Sequence, residues 1–385
     1  MKFSGYLRPD GKVGIRNYLA IIPASVCAAK VAFDIAAQVS NAVALPNQHG
    51  CCQIGADHEQ TVNTLIGIGK NPNIAAVLVV GLGCEGVPIN KLAEEISKTG
   101  KPVDVVVIQE SGGTLKATAD GLMKAGKMAR EVSMIKAQEF PVSELSLAVE
   151  CGGSDFTSGL ASNPVVGVAS DLLVSAGGTS ILSETTEFIG AEHILTKRAQ
   201  SPEVGEQILK IVNDCEQRAK LLNVDIRGGQ PTPGNIQGGI SSIEEKSLGC
   251  IYKAGSSPIQ GVLAYGESPQ GKGLYVMDTP GQDIESITGM LAGGATVVIF
   301  TTGRGTPTGS PIAPVIKITA NAETYTMMSD NIDIDASPII QGIKSIEEVG
   351  KELFQEIIDV ANGKFTKAES LGHKEFGIYK IAPTF

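Results

Sequence analysis

Residues 75–86 read Ala75-Ala76-Val77-Leu78-Val79-Val80-Gly81-Leu82-Gly83-Cys84-Glu85-Gly86. The apolar run is unbroken and shows no polar alternation. That is the pattern of a strand buried on both faces, as in a parallel sheet covered by helices. The run ends in glycines and a cysteine beside a glutamate. Loops just past the carboxyl ends of strands are where α/β sheets bind ligands.

Working outward, Tyr18 to Pro23, Ala42 to Leu45 and Val103 to Ile108 read as further strands. Between them lie helical patterns: Ser25 capping a helix to Val39, then Asp57 to Gly69, Pro88 to Lys98, and a long one over Thr114 to Ala137. Strands alternating with helices predict a doubly wound α/β unit over residues 1–140. The pattern restarts over 141–385. Leu145 to Val149, Thr179 to Leu182, Ala295 to Thr301 and Pro314 to Thr319 read as strands. Asn163 to Ser175, Pro202 to Leu222 and Ile346 to Ala361 read as helices. Residues 223–282 are rich in Gly, Pro and Ser and predict short strands and ordered loops. The fold class is α/β: two Rossmann-like units with mostly parallel sheets, the second with a loop-rich insertion.

Of the 385 residues, 42% are hydrophobic, enough to bury a large core in two or three domains. The net charge is -10 with no basic stripe, which disfavours nucleic acid and anionic membranes as partners. An anionic small substrate needs only local Arg or Lys. No apolar span reaches transmembrane length, and Met1 to Asp10 has no signal-peptide core. A reducing cytoplasm is the expectation, where cysteines are packed, catalytic or metal-bound rather than a disulfide framework. Cys27, Cys215 and Cys250 have bland settings and read as packing residues.

Three loops after strand-like runs carry thiols: His49-Gly50-Cys51-Cys52, Gly83-Cys84-Glu85 and Glu150-Cys151-Gly152-Gly153-Ser154-Asp155. Imidazole and thiolates suit iron or zinc, and the spacing is not that of a zinc ribbon. The loops therefore predict one convergent metal centre, with packed cysteines at strand ends as the alternative. Glu85, Glu110 and Glu150 favour the metal, because charges at such apolar strand ends are rarely buried unpaired. Single Fe²⁺ and a [4Fe–4S] cluster held by three Cys both fit; either gives an open Lewis-acid iron.

Ser183-Glu184-Thr185-Thr186-Glu187 to Glu192-His193 follows a strand. His193 suits general acid–base work, with an ordinary pKa of about 6.5; the alternative is a solvent-facing helix start. His58 and His373 read as helix-surface residues. Thr301-Thr302-Gly303-Arg304-Gly305-Thr306 is a Gly- and hydroxyl-rich loop with one Arg, suited to a carboxylate or phosphate.

Those motifs, with Gly5 to Tyr18, Lys246-Ser247-Leu248-Gly249-Cys250 and Met277-Asp278-Thr279-Pro280-Gly281, resemble the altronate/galactarate dehydratase family along nearly the whole chain. Single-chain members carry a small SAF-type domain before the opening Arg motif. This chain starts almost at that motif, so the resemblance implies a large subunit with a separate small SAF-domain partner, in an oligomer. Sulfolactate sulfo-lyase large subunits share that split layout, but the His-Gly-Cys-Cys run favours a sugar-acid dehydratase. The implied reaction removes water from a 2,3-dihydroxy acid to give a 2-keto-3-deoxy acid. Residue chemistry and loop position put iron on His49, Cys51, Cys84, Glu110 and Cys151. They make His193 with Glu184 the acid/base pair. Arg8, Arg16, Ser154, Asp155, Thr302, Arg304 and Thr306 are the expected substrate contacts. Another lyase on the same scaffold and a non-catalytic metal-binding subunit remain as alternatives.

Overall fold

The computed structural model describes residues 1–385. It opens on an antiparallel pair, β1 (Lys2–Leu7) and β2 (Val13–Gly14). Four parallel strands follow: β3 (Tyr18–Pro23), β4 (Ala42–Ala44), β5 (Ile74–Gly81) and β6 (Val103–Val107), in the order β4-β3-β5-β6. All of β5 is buried, as its unbroken apolar run requires; Val79 sits between Ile22 and Val105. The helix expected over Thr114 to Ala137 stops at Val132, and the chain returns as β7 (Gln138–Pro141) to pair antiparallel with β1.

The second parallel sheet contains β8 (Ser146–Cys151), β9 (Thr179–Leu182), β10 (Ile259–Leu263), β11 (Gly273–Met277), β12 (Val297–Thr301), β13 (Val315–Thr319) and β14 (Ile334–Asp335). Their order is β10-β11-β9-β8-β12-β13-β14, and every pair is parallel. The α/β class with parallel sheets thus matches the sequence reading. From β8 the chain builds outward through β9, then returns to place β12 on the other side, with Thr301 opposite Cys151. The order reverses between β8 and β12. In open α/β sheets that switch point leaves a crevice at the carboxyl ends of the strands.

One face of this sheet packs on helices Asn163–Ser175 and Ile346–Ala361. The other faces helix Asp283–Ala292, which lies on helix Gly55–Lys70 of the first half. Gly67 allows that crossing: a Cβ there would come within 2.5 Å of the Ala292 carbonyl oxygen. One core therefore joins Val77 and Val79 of the first sheet to Ala148, Val298 and Phe300 of the second. Within residues 223–282 the expected strands are present as β10 and β11, but so is an unexpected helix, Ile243–Cys250. Ser242 caps it by accepting from the Glu245 N–H at 3.2 Å.

Candidate active site at the switch point

β8 ends in Glu150-Cys151, and β9 is followed at once by Ser183-Glu184. Side chains alternate along a strand, so Cys151 and Glu150 point to opposite faces. Glu184 sits at φ 71° in the left-handed region. For a residue with a Cβ this costs on the order of 1–3 kcal/mol and persists only where the surroundings impose it. Here its N–H donates to Thr279 Oγ1 at 2.7 Å, and the next N–H donates to the Thr279 carbonyl at 3.1 Å.

On the Cys151 face, the Cys250 sulfur at the end of helix Ile243–Cys250 lies 3.1 Å from Cys151 Sγ. Cys151 donates to Glu187 Oε2 at 2.8 Å, and Cys250 meets the same oxygen. Lys246 reaches Glu187 Oε1 at 2.8 Å, and Lys253 lies 3.7 Å from its Oε2 while pairing with Glu184. All these groups are buried. Burial opposes charge on Glu187, but Lys246 and Lys253 outweigh it and hold the carboxyl down at about 2. Burial likewise opposes the two ammoniums, and the acidic groups around them keep their pKa above the ordinary lysine value. Both thiols are pushed up, chiefly by burial.

On the Glu150 face, Glu150, Glu184 and Asp283 bring one ligand oxygen each within 4.8 Å of one another. Burial raises all three. The charge of Glu184 adds to the shift at Glu150, and Asp283 is pushed up to about 7 by burial with Glu184 and Glu187 adding.

A cleft of about 260 Å³ opens beside the thiol group. Lys246, Cys250, Ser154 and Asp155 are on its wall, and Phe156, Leu160, Leu248 and Tyr252 are exposed apolar residues lining it. Asp155 also borders a second cleft of about 470 Å³ that contains Arg304 and Asn321.

Residues 142–384 match the family described as D-galactarate/Altronate dehydratase, C-terminal. Residues 5–133 match D-galactarate dehydratase/Altronate hydrolase, second domain. The chain belongs to the galactarate/altronate dehydratase family. It is 38% identical to the (2R)-sulfolactate sulfo-lyase subunit beta of Chromohalobacter salexigens, over 98% of this chain and 97% of that one. It is 36% identical to the altronate dehydratase of Bacillus subtilis, over 99% of this chain and 78% of that one. It is 37% identical to the L-threo-forming galactarate dehydratase of Escherichia coli, over 99% and 77% respectively. These relatives are lyases, and this member of the family is a lyase as well. No helix is long and apolar enough to cross a membrane.

Several of the expected site residues are placed otherwise. The ligand atoms of His49, Cys51, Cys84, Glu110 and Cys151 form no common group; Cys151 alone of them lies in a buried candidate trio. Cys51, Cys84 and Glu110 are exposed at the end of the first sheet, and His49 Nε2 lies 3.2 Å from the Ile378 carbonyl. His193 is exposed on helix Glu192–Thr196 and makes no bond to Glu184, because the helix turns it to solvent. Arg16 spends its guanidinium on Glu369 and the carbonyls of Ile15, Val360 and Lys364. Arg8 is buried against the carbonyls of Pro72 and Arg16 and the Asn17 side chain. Both arginines hold the fold together.

The phosphate-like loop is partly self-satisfied. Thr302 Oγ1 accepts from the Gly305 N–H at 2.9 Å, and Thr306 bonds Thr308 at 2.8 Å. Asp155 Oδ1 accepts from Thr157 and Ser158, and Oδ2 from Asn321. Ser154 Oγ is buried without a protein partner, and Arg304 is exposed. Lys246, Cys250 and Lys253 were missed as site residues. The local signals were the Lys246-Ser247-Leu248-Gly249-Cys250 motif of the family resemblance and the Ser242 cap of the helix that delivers the first two. For the iron expected from the sequence, Cys151, Cys250 and Glu187 are a suitable donor set, two thiols and a carboxylate within 4.8 Å. A cation there competes with Lys246 and Lys253 for Glu187.

Proposed function

We propose that this chain is the large subunit of a cytoplasmic sugar-acid dehydratase of the altronate type, removing water from a 2,3-dihydroxy acid to give a 2-keto-3-deoxy acid. The supporting observation is that Lys246 and Cys250, both bonded to the buried Glu187 behind them, are on the wall of the 260 Å³ cleft at the switch point. The C2 proton of such an acid is weakly acidic because the neighbouring carboxylate is already anionic. The Lys246 ammonium holds that carboxylate and steadies the charge that builds on it as C2 loses its proton. The free Ser154 hydroxyl meets a substrate hydroxyl, and Arg304 in the adjoining cleft takes the distal end. Iron, held by Cys151, Cys250 and Glu187, would supply Lewis acidity toward the carboxylate and a hydroxyl. A small SAF-domain subunit completes the enzyme; one relative is itself named a subunit beta.

A second reading has its own support. This chain spans 97% of the sulfolactate sulfo-lyase subunit but 78% of the Bacillus subtilis dehydratase. The chain, co-purified with its small subunit under anaerobic conditions, should be assayed on altronate, galactarate and (2R)-sulfolactate. The expected product is a 2-keto-3-deoxy acid, with Lys246→Gln lowering kcat/KM at least about tenfold, or about 1.4 kcal/mol. Sulfite with pyruvate from sulfolactate, and no 2-keto-3-deoxy acid from altronate or galactarate, would select the second reading. No turnover of any of the three would overturn both.

A further inference from the structure

The acidic trio on the Glu150 face is built differently from the thiol group behind it. Glu150 has Oε2 held by two hydroxyls, Ser183 at 3.1 Å and Ser286 at 2.7 Å. Glu184 has Oε2 held by the Cys151 N–H at 3.0 Å and by Lys253. In both residues the other oxygen, Oε1, is fully buried, and apart from the neighbouring carboxyl of the pair no protein donor reaches it. Both side chains are 0% exposed. Each carboxylate is thus pinned through one oxygen and keeps a free oxygen in the dry interior. Leaving such an oxygen uncompensated is costly.

The charges point the same way. Behind β8, Glu187 is neutralised by Lys246 and Lys253. In front, three carboxylates share only the contact between Lys253 and the engaged oxygen of Glu184. The hydroxyls around Glu150 form their own chain, Ser286 to Ser183 at 2.9 Å and Ser286 to Thr279 at 3.0 Å. Such outer contacts orient a ligating carboxylate. Asp283 is half-buried at the start of its helix and gives the trio a way to solvent. Gly152 leaves room for it, since a Cβ there would fall 2.3 Å from Asp283 Oδ2.

We infer that Glu150, Glu184 and Asp283 bind a hard divalent cation of the Mg²⁺ or Mn²⁺ type, at a site separate from the thiol group. Oxygen-only donors select such ions over thiophilic ones. The site ties the ends of β8 and β9 to the helix that follows β11, and so fixes the floor on which Cys151 stands.

The test uses the full chain, stripped with a chelator and titrated with Mn²⁺ while the electron paramagnetic resonance signal of the free ion is followed. A single saturable site is expected. Asp283→Asn, at the most exposed ligand, should abolish it, and Ser286→Ala should weaken it about tenfold. Cys151→Ser and Cys250→Ser should retain it. Circular dichroism confirms that each variant is folded. Failure of the folded wild-type chain to take up Mn²⁺ would overturn the inference and leave a proton shared by Glu150 and Glu184 as the compensation. Uptake that survives Asp283→Asn but is lost with the thiols would overturn it as well. The readout is binding, so the outcome does not depend on which substrate the enzyme uses.

Discussion

At the carboxyl end of the first parallel sheet, Cys51, Cys52 and Cys84 are exposed; at the same end of the second, Cys151 is buried against Cys250. The local sequences of Cys84 and Cys151 are alike: an apolar strand ending in a thiol flanked by a glycine and a glutamate. What differs is the chain that arrives later. Helix Ile243–Cys250 and the turn Ile251–Ala254 cover the end of β8 and bring two lysines with them. At the first sheet, Glu85 merely closes its own turn by accepting from the Leu82 and Gly83 N–H groups. A thiol motif at a strand end acquires its chemistry from whatever packs on top of it.

The strongest way to break this contrast is to remove the buried ammonium. Lys253→Met leaves Glu184 and Glu187 short of a partner in the interior. It should cost about 3–5 kcal/mol of stability, as removal of one member of a buried ion pair does. Lys98→Met, which removes an exposed pair with Glu95, should leave the denaturation midpoint unchanged. Equal effects of the two substitutions would mean that the second site is as well solvated as the first sheet's surface.

Thiol labelling sharpens the same comparison. Cys27, Cys51, Cys52 and Cys84 are exposed, while Cys151, Cys215 and Cys250 are buried. Ellman's reagent should therefore titrate the first four quickly in the native chain and the other three only on unfolding. Fast labelling of Cys151 or Cys250, read by peptide mass, would contradict the covered site.

The smallest expected effect lies further along the second sheet. Lys317 is buried with Nζ donating to the Thr308 carbonyl at 2.9 Å, and burial pushes its pKa down to about 8. The unfolded chain holds this proton up to the ordinary value of 10.5, so between about 8 and 10.5 it binds more protons than the folded one. Stability of the wild type relative to Lys317→Met should therefore rise with pH across that window. A flat difference in urea midpoints from pH 7.5 to 10 would show that Lys317 stays protonated in the fold.

Much of the scaffold was legible because short-range periodicity produces it. Helix Asn163–Ser175 and strand Thr179–Leu182 fall where the apolar pattern put them. The sequence reading also singled out Glu150, Cys151 and Glu184, which lie together at the switch point of the second sheet. Lys246, Cys250 and Lys253 were not, since their role comes from pairing with Glu187 and Glu184, residues about sixty or seventy positions earlier (separations of 63 and 69 for Cys250 and Lys253). Arg8 and Arg16 looked like anion clamps for a related reason. A sequence shows a guanidinium but not the Pro72 and Val360 carbonyls that consume it.

The turn Asn71-Pro72-Asn73 carries a consequence for biosynthesis. Asn71 Nδ2 donates to the carbonyls of Leu291 and Ala295, and Asn73 Nδ2 to those of Thr296 and Ile312. Asn73 Oδ1 meanwhile accepts from the Ile15 and Arg16 N–H groups. The four carbonyl partners lie 220 to 239 residues downstream of the asparagines. As the nascent chain leaves the ribosome, the first sheet emerges with this buried turn unsatisfied and the face that bears Val77 and Val79 uncovered. Domains usually fold in order of synthesis. Here the amino-terminal half must wait for Ile312 before its own interior is complete.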